Sequence, residues 1–144
     1  SNPHISMAPY ENNLNINISS ISPGNKSNKN NCTIRNFPLQ RWTHLLVSLN
    51  NRTLDVYLDG KLVRTCILSG VAKPVGESDV LITPNGGFSG WTSRFRTWSK
   101  PLNPQEVFNV YREGPGSTGT SFLDRYKLRV SYYVDNVEQG SFSF

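Results

Sequence analysis

WTHLLVSLNNRTLDVYLDGKLVRTCIL, residues 42–68, decides the fold. Leu54, Val56 and Leu58 alternate with Asp55, Tyr57 and Asp59, which is the period of a strand with one buried face. Asp59-Gly60 comes next, a strong marker of a two-residue hairpin, because both positions tolerate positive φ. On the other side of the run, Asn50-Asn51 offers a second tight turn. Strands over 42–49, 53–59 and 61–68 therefore form an antiparallel three-stranded meander.

Outward from the meander the same period recurs. In NNLNINISS (12–20), Leu14, Ile16 and Ile18 alternate with asparagines and predict a half-buried strand. Residues 22–31 (SPGNKSNKNN) hold no apolar side chain and read as an exposed loop. Residues 69–79 are a loop with Gly70, Pro74 and Gly76, and 80–83 a short strand stopped by PNGG. FSGWTSRFRTW (88–98) reads as a further strand, with Trp91, Ser93, Phe95 and Thr97 on one face and Arg94, Arg96 and Trp98 on the other. Asn103 is a good N-cap, Pro104 fits the first helical position, and Glu106 complements the positive end of a helix. Val107, Val110 and Tyr111 give that helix an apolar stripe, and Gly114-Pro115 ends it. After the GPGSTGT connection (114–120), 126–134 alternates again, and a turn at Asp135-Asn136 leads to a last strand. Closely spaced strands with one helix and no crossovers predict an all-β protein. Its class is an antiparallel β-sandwich or jelly roll with one short C-terminal helix. Residues 1–114 form the sandwich, and 115–144 add a linker and C-terminal strands packing on it.

Composition agrees with that class. The 144 residues are 36% hydrophobic and only 17% charged, with 16 Asn and 17 Ser, which favour turns over helices. Aromatic residues, 7 Phe, 6 Tyr and 3 Trp, require a core and exclude a disordered chain. No apolar run reaches the roughly 20 residues of a membrane-spanning helix. The net charge is +5, but the basic residues are scattered singly, so no nucleic-acid footprint is expected.

Catalytic chemistry finds little to work with. Asp55 and Asp59, four apart on one strand face with Tyr57 between, are the nearest approach to the two carboxylates of a glycosidase. Asp59 belongs to the Asp-Gly turn, and Asp55 reads as an ordinary solvent-face residue. His4 and His44 are the two histidines, and no Cys or His spacing suggests zinc. No catalytic residue and no metal ligand is therefore expected, and no cofactor, although loop calcium sites leave no sequence signature. Trp42 and Trp91 fit core packing. Trp98, on the face of Arg94 and Arg96, reads either as an exposed platform for a sugar or partner or as a cap on the core edge. Trp98, Arg94, Arg96 and Tyr57 together are the candidate ligand or partner surface. Cys32 and Cys66 are compatible with one disulfide or two free thiols, and a bridge would contribute roughly 3–4 kcal/mol. Asn-x-Ser/Thr sequons occur at Asn17, Asn25, Asn31 and Asn51.

NFPLQRWTHLLVSLNNRTLDVYLDGKLVRTC (36–66) resembles the central hairpins of the concanavalin A-like lectin/glucanase superfamily, in its laminin G-like branch. The resembling elements are Trp42 opening a strand, the segment 56–63, the Gly-Phe-Ser-Gly stretch 87–90, and the closing 102–111 helix. ITPNGGFSGWTSRFRTW (82–98) and the tail YKLRVSYYVDNVEQGSFSF (126–144) resemble laminin G-like proteins of large DNA viruses of algae and protists, which often carry an upstream hydrophobic anchor. The resemblance implies a virion protein, a minor capsid or capsid-surface component with other capsid proteins as partners, or else a glycan-binding module for host attachment. It also implies that N-terminal strands precede this segment in a longer polypeptide. The paired acids of the glucanase branch have no match here. A core disulfide of the pentraxin-like branch makes Cys32–Cys66 its expected analogue, provided residues 30–35 run as a strand beside the third meander strand.

Overall fold

The computed structural model describes residues 3–24, 26–74, 80–84 and 86–116, and the backbone of 129–134 and 137–143. The chain divides into two compact units, Ser1–Gly114 and Pro115–Phe144.

In the first unit, two antiparallel sheets share one core. The first sheet is built on β2 (Leu14–Ser22). β1 (His4–Met7) and β7 (Val71–Ala72) pair with one edge of β2, and β3 (Lys26–Ile34) pairs along the whole of the other. The second sheet is the meander β4 (Leu45–Asn50), β5 (Thr53–Leu58) and β6 (Lys61–Ile67), in that order. Alternation puts Leu14, Ile16, Ile18, Cys32 and Ile34 of the first sheet against Leu54 and Val56 of the second, with Leu68 beside them. Leu45, Val47 and Leu49 of β4 pack on the same cluster. The meander thus turns out as its alternation predicts, with Asp59 at φ 49 and Gly60 at φ 76 in the hairpin turn. Both central residues in positive φ match the right-handed twist of the flanking strands.

The reverse face of the second sheet carries the helix. Val56 and Tyr57 are both buried, one in the core cluster on each face, and the register shift beside them leaves Val63 of β6 as the extra residue. α1 (Pro104–Arg112) seats Val107 on Leu46 and Tyr57, with Leu102 packed alongside. Its start is a capping box: Asn103 Oδ1 accepts from the Glu106 N–H at 2.9 Å, and Glu106 Oε2 accepts from the Asn103 N–H at 2.8 Å. In the second unit β8 (Arg129–Val134) and β9 (Val137–Ser143) form an antiparallel hairpin with Val134 opposite Val137. The expected turn residues Asp135 and Asn136, and the expected strand start at 126–128, lie outside the described residues.

Three expectations need correction. Residues 26–34 are a strand, not a loop. Its inward positions Asn28 and Asn30 lie beyond the apolar core, so hydrophobic alternation is absent. Side-chain hydrogen bonds replace it: Asn28 Nδ2 donates to Ser22 Oγ at 2.7 Å, and Asn30 Nδ2 to Ser20 Oγ at 2.8 Å. Asn30 Oδ1 accepts from the Ser69 N–H at 2.9 Å, which satisfies a network around the fully buried Ser20. Second, residues 80–83 and 88–98 pair with no strand among the described residues and form none; Thr83 at φ 48 and Arg94 at φ 50 break the extended path. Third, Trp42 and Trp91 are exposed rather than in the core. Trp42 precedes the first residue of β4, and Trp91 lies in the unpaired tract.

Candidate functional site

The surface residues singled out in the sequence separate into two places. Arg94 and Arg96 converge on Glu113, the C-cap of α1. Arg96 Nη2 lies 2.7 Å and Arg94 Nη1 3.4 Å from Glu113 Oε2, and Arg94 Nη1 also donates to the Glu113 carbonyl at 3.3 Å. The Arg96 hydrogen bond and the charges of both arginines hold the Glu113 carboxyl below its usual range, and Glu113 in turn raises Arg96. All three groups are exposed, so salt screens the cluster and it adds little to stability. Trp98 belongs to the same tract and is 42% exposed. Tyr57 does not join them: it is 3% exposed, covered by Val107 of α1. Burial, with the nearby Asp55 charge, pushes its phenol above the usual range.

The most open aromatic of this tract is Trp91, at 86%, followed by Phe95 at 60%. Core packing was expected of Trp91, and Phe95 was placed on the same strand face. Alternation distinguishes two faces of an extended segment but not which one another layer covers, so no signal in the sequence separates Trp91 from Trp98.

Asp55 and Asp59 are engaged in holding the meander. Asp59 Oδ1 accepts from the His44 N–H at 2.9 Å, and Oδ2 pairs with Arg41 Nη2 at 2.7 Å. Asp55 Oδ1 accepts from Thr65 Oγ1 at 2.6 Å, across the β5–β6 pair. The His44 ring packs against Tyr111 with centroids 5.9 Å apart, and its buried Nδ1 has no hydrogen-bond partner among the described residues. Burial lowers the His44 pKa, opposed by the Asp59 charge. Among the described residues no three His, Cys, Asp or Glu side chains cluster so as to hold a metal ion.

The two edges of the sandwich differ. At one, Cys32 of β3 and Cys66 of β6 are joined in a disulfide, with Cα atoms 6.1 Å apart. Residues 30–34 are strand, as the pairing required. However, β3 hydrogen-bonds to β2 and faces β6 across the core, so the bridge ties sheet to sheet rather than joining neighbours within one sheet. At the other edge, between β1, β7 and β4, lies an apolar cavity of about 170 Å³, with Ile5, Ile18, Val47, Leu49 and Ala72 in its lining.

Two face-to-face antiparallel sheets, bridged by one disulfide and backed by one helix, define a small β-sandwich domain. The chain belongs to the concanavalin A-like lectin/glucanases superfamily, whose laminin G family model matches residues 2–108. Among solved structures, a crystal structure of an S-layer domain-containing protein from Clostridium thermocellum is similar over 69% of this chain, with 17% identity and a TM-score of 0.40. The chain spans about half, 51%, of that structure's length.

Proposed function

We propose that the chain is a non-catalytic structural module of a virion, a minor capsid or capsid-surface component of a large DNA virus, that meets neighbouring capsid proteins through the 88–98 tract. The observation that carries this reading is the open aromatic tract itself: Phe88, Trp91, Phe95 and Trp98 are all exposed on a domain whose candidate acids hold the fold. Large contiguous apolar surface on a small domain marks a contact site. The viral assignment rests on the resemblance of 82–98 and of the 126–144 tail to laminin G-like viral proteins. Proteomics of purified particles should recover the chain in stoichiometric amount. Its absence from such particles would sink the proposal.

A second reading is a glycan-binding module for host attachment. Trp91 and Trp98, exposed on one tract, favour it, since an indole face stacks on the C–H face of a sugar ring. A glycan array run with and without calcium tests it. Specific binding lost in Trp91→Ala is the expected result, and a blank array in both conditions rejects it.

A further inference from the structure

The sequons at Asn17, Asn25, Asn31 and Asn51 sit in unequal places in the fold. Asn17-Ile18-Ser19 lies in β2, with Ile18 in the core. Asn17 is half-buried, and the register sets His4 of β1 on one side of it and Asn31 of β3 on the other. Asn31-Cys32-Thr33 lies in β3. Its middle residue forms the bridge to Cys66, and the Thr33 hydroxyl donates to Asn15 Oδ1 at 2.7 Å. Asn17 and Asn31 are direct cross-strand partners on one face of a continuous ladder, so bulk on either crowds the other. Asn25 lies outside the described residues. Asn51-Arg52-Thr53 stands apart from these. Asn50 pairs with Thr53, so Asn51 and Arg52 are the tip of the β4–β5 hairpin. Asn51 is exposed and sits at φ 56, a conformation that Asn tolerates. Arg52 folds back from it: Nε and Nη2 donate to the Leu68 carbonyl at 3.2 and 3.1 Å, and the Arg52 carbonyl accepts from the Leu68 N–H at 2.8 Å. The turn is thus braced at its second residue, while no described residue bonds the Asn51 side-chain amide.

We propose that Asn51 is a site of N-linked glycosylation, its side-chain amide carrying an oligosaccharide at the hairpin tip. An acceptor sequon belongs on a surface loop, and among the three described sequons only this one occupies a turn. The Cys32–Cys66 bridge supports the proposal independently. A disulfide forms and persists in oxidising surroundings, and the secretory route that provides them is also where sequon asparagines are modified. The co-reactant is a lipid diphosphate-linked oligosaccharide, delivered by its transferase. The Asn51 Nδ2–C1 bond forms, the C1–O bond to the diphosphate breaks, the lipid diphosphate leaves, and one Nδ2 proton passes to solvent. Thr53, the first residue of β5, supplies the hydroxyl that the transferase requires two residues on. The attached sugar extends into water and displaces no packed side chain, since Asn51 belongs to neither buried cluster. The site is independent of the contact-surface and glycan-recognition readings above.

The test recovers the full chain from the secretory pathway of a eukaryotic host. An amidase that converts each glycosylated Asn to Asp acts on it in heavy-oxygen water, and peptide mass spectrometry maps the labelled Asp. The expected result is label at 51 that exceeds the label at 17 and at 31. Asn51→Gly keeps the positive φ, and Thr53→Val keeps a β-branched residue in β5 without the hydroxyl. Each should lose the label at 51 together with one step of gel mobility, whereas Thr53→Ser should retain both. An intact Cys32–Cys66 bridge in each variant certifies that it is folded. A parent with its bridge intact and no label at 51 would overturn the proposal. Label at 17 or 31 that equals or exceeds that at 51 would also overturn it, because the fold would then not select the turn. So would sugar at 51 that survives Thr53→Val, by assigning it to chemistry other than the sequon. None of these readouts depends on finding the chain in a particle or on its binding a glycan, so the proposals fail separately.

Discussion

At the scale of single residues, the turn between β5 and β6 concentrates three demands. Asp59 supplies the positive φ, the acceptor for the His44 N–H and the partner of Arg41. Gly60, at φ 76, lies under the helix: an added Cβ would stand 3.0 Å from Tyr111 Cδ1 and 3.1 Å from Phe108 Cδ2. Gly60→Ala is expected to lower stability by about 1–2 kcal/mol, seen as a lower urea midpoint at unchanged slope. Gly24→Ala separates the causes, because Gly24 has φ 88 with nothing within 4 Å of an added Cβ. It carries the backbone cost without the crowding, so the difference between the two variants measures contact with α1. His44 adds a pH dependence. Its pKa lies below the ordinary 6.5 because burial disfavours the imidazolium more than Asp59 favours it. The unfolded chain therefore binds this proton more readily than the folded one. The His44 contribution is complete above pH about 6.5 and is lost as pH falls through the unfolded value toward the lowered folded one. NMR titration should place the imidazole midpoint below 6.5. His44→Gln should flatten the stability profile in the range just below pH about 6.5; an unchanged slope would assign it to other groups.

At the scale of elements, α1 shows how few contacts position a helix. Of its nine residues only Val107 is buried, and it rests on Leu46 and Tyr57. Val107→Ala should cost about 2 kcal/mol, and Asn103→Ala about 1 kcal/mol through loss of the cap. Phe108→Ala, on an exposed side chain, should cost less than either if the helix is held at Val107; thermal denaturation of the three variants ranks them. This helix was legible in advance, because Asn103, Pro104 and Glu106 are local signals and helix capping is local chemistry. The meander was legible for the same reason: the Asp59-Gly60 turn fixes the register of β5 on β6, while the first turn falls one residue later than expected, at Asn51-Arg52, because Asn50 still pairs with Thr53. β3 was not. Its inward asparagines bond to Ser20, Ser22 and Ser69, partners that become neighbours only once the sheet exists. The 88–98 tract failed in the opposite direction: its alternation is real, but a strand needs a second strand, and periodicity carries no information about the neighbour. Of the surface candidates, Arg94 and Arg96 meet at Glu113, a partner that lies 19 and 17 residues away and that strand alternation does not indicate, whereas Tyr57 is covered because the helix carrying Val107 packs on it.

At the scale of the molecule, the disulfide decides how strongly the two sheets are held to each other. The apolar core already joins them: Ile16 and Ile34 of one sheet meet Leu54 and Val56 of the other. Only the β3–β6 edge has a covalent tie, while the β1/β7–β4 edge retains a cavity. Cys32 and Cys66 are 34 residues apart, and in the chain-entropy model closing a loop of that size stabilises the fold by about 3–4 kcal/mol. That is a large part of the roughly 5–15 kcal/mol of a typical domain. Replacing both cysteines by alanine should therefore lower the melting temperature by about 10–13 °C. The single variants should separate the covalent term from packing. Cys32 is 2% exposed and Cys66 half-buried, so Cys32→Ser leaves a hydroxyl in the core and should be worse than Cys66→Ser. Loss of the tie should also act unevenly, speeding amide exchange in β3 and β6 more than in β2 and β5, whose bonds lie inside their sheets. A double variant that melts within a few degrees of the parent, with uniform exchange, would mean that core contact alone holds the sheets and that the bridge merely reports their proximity.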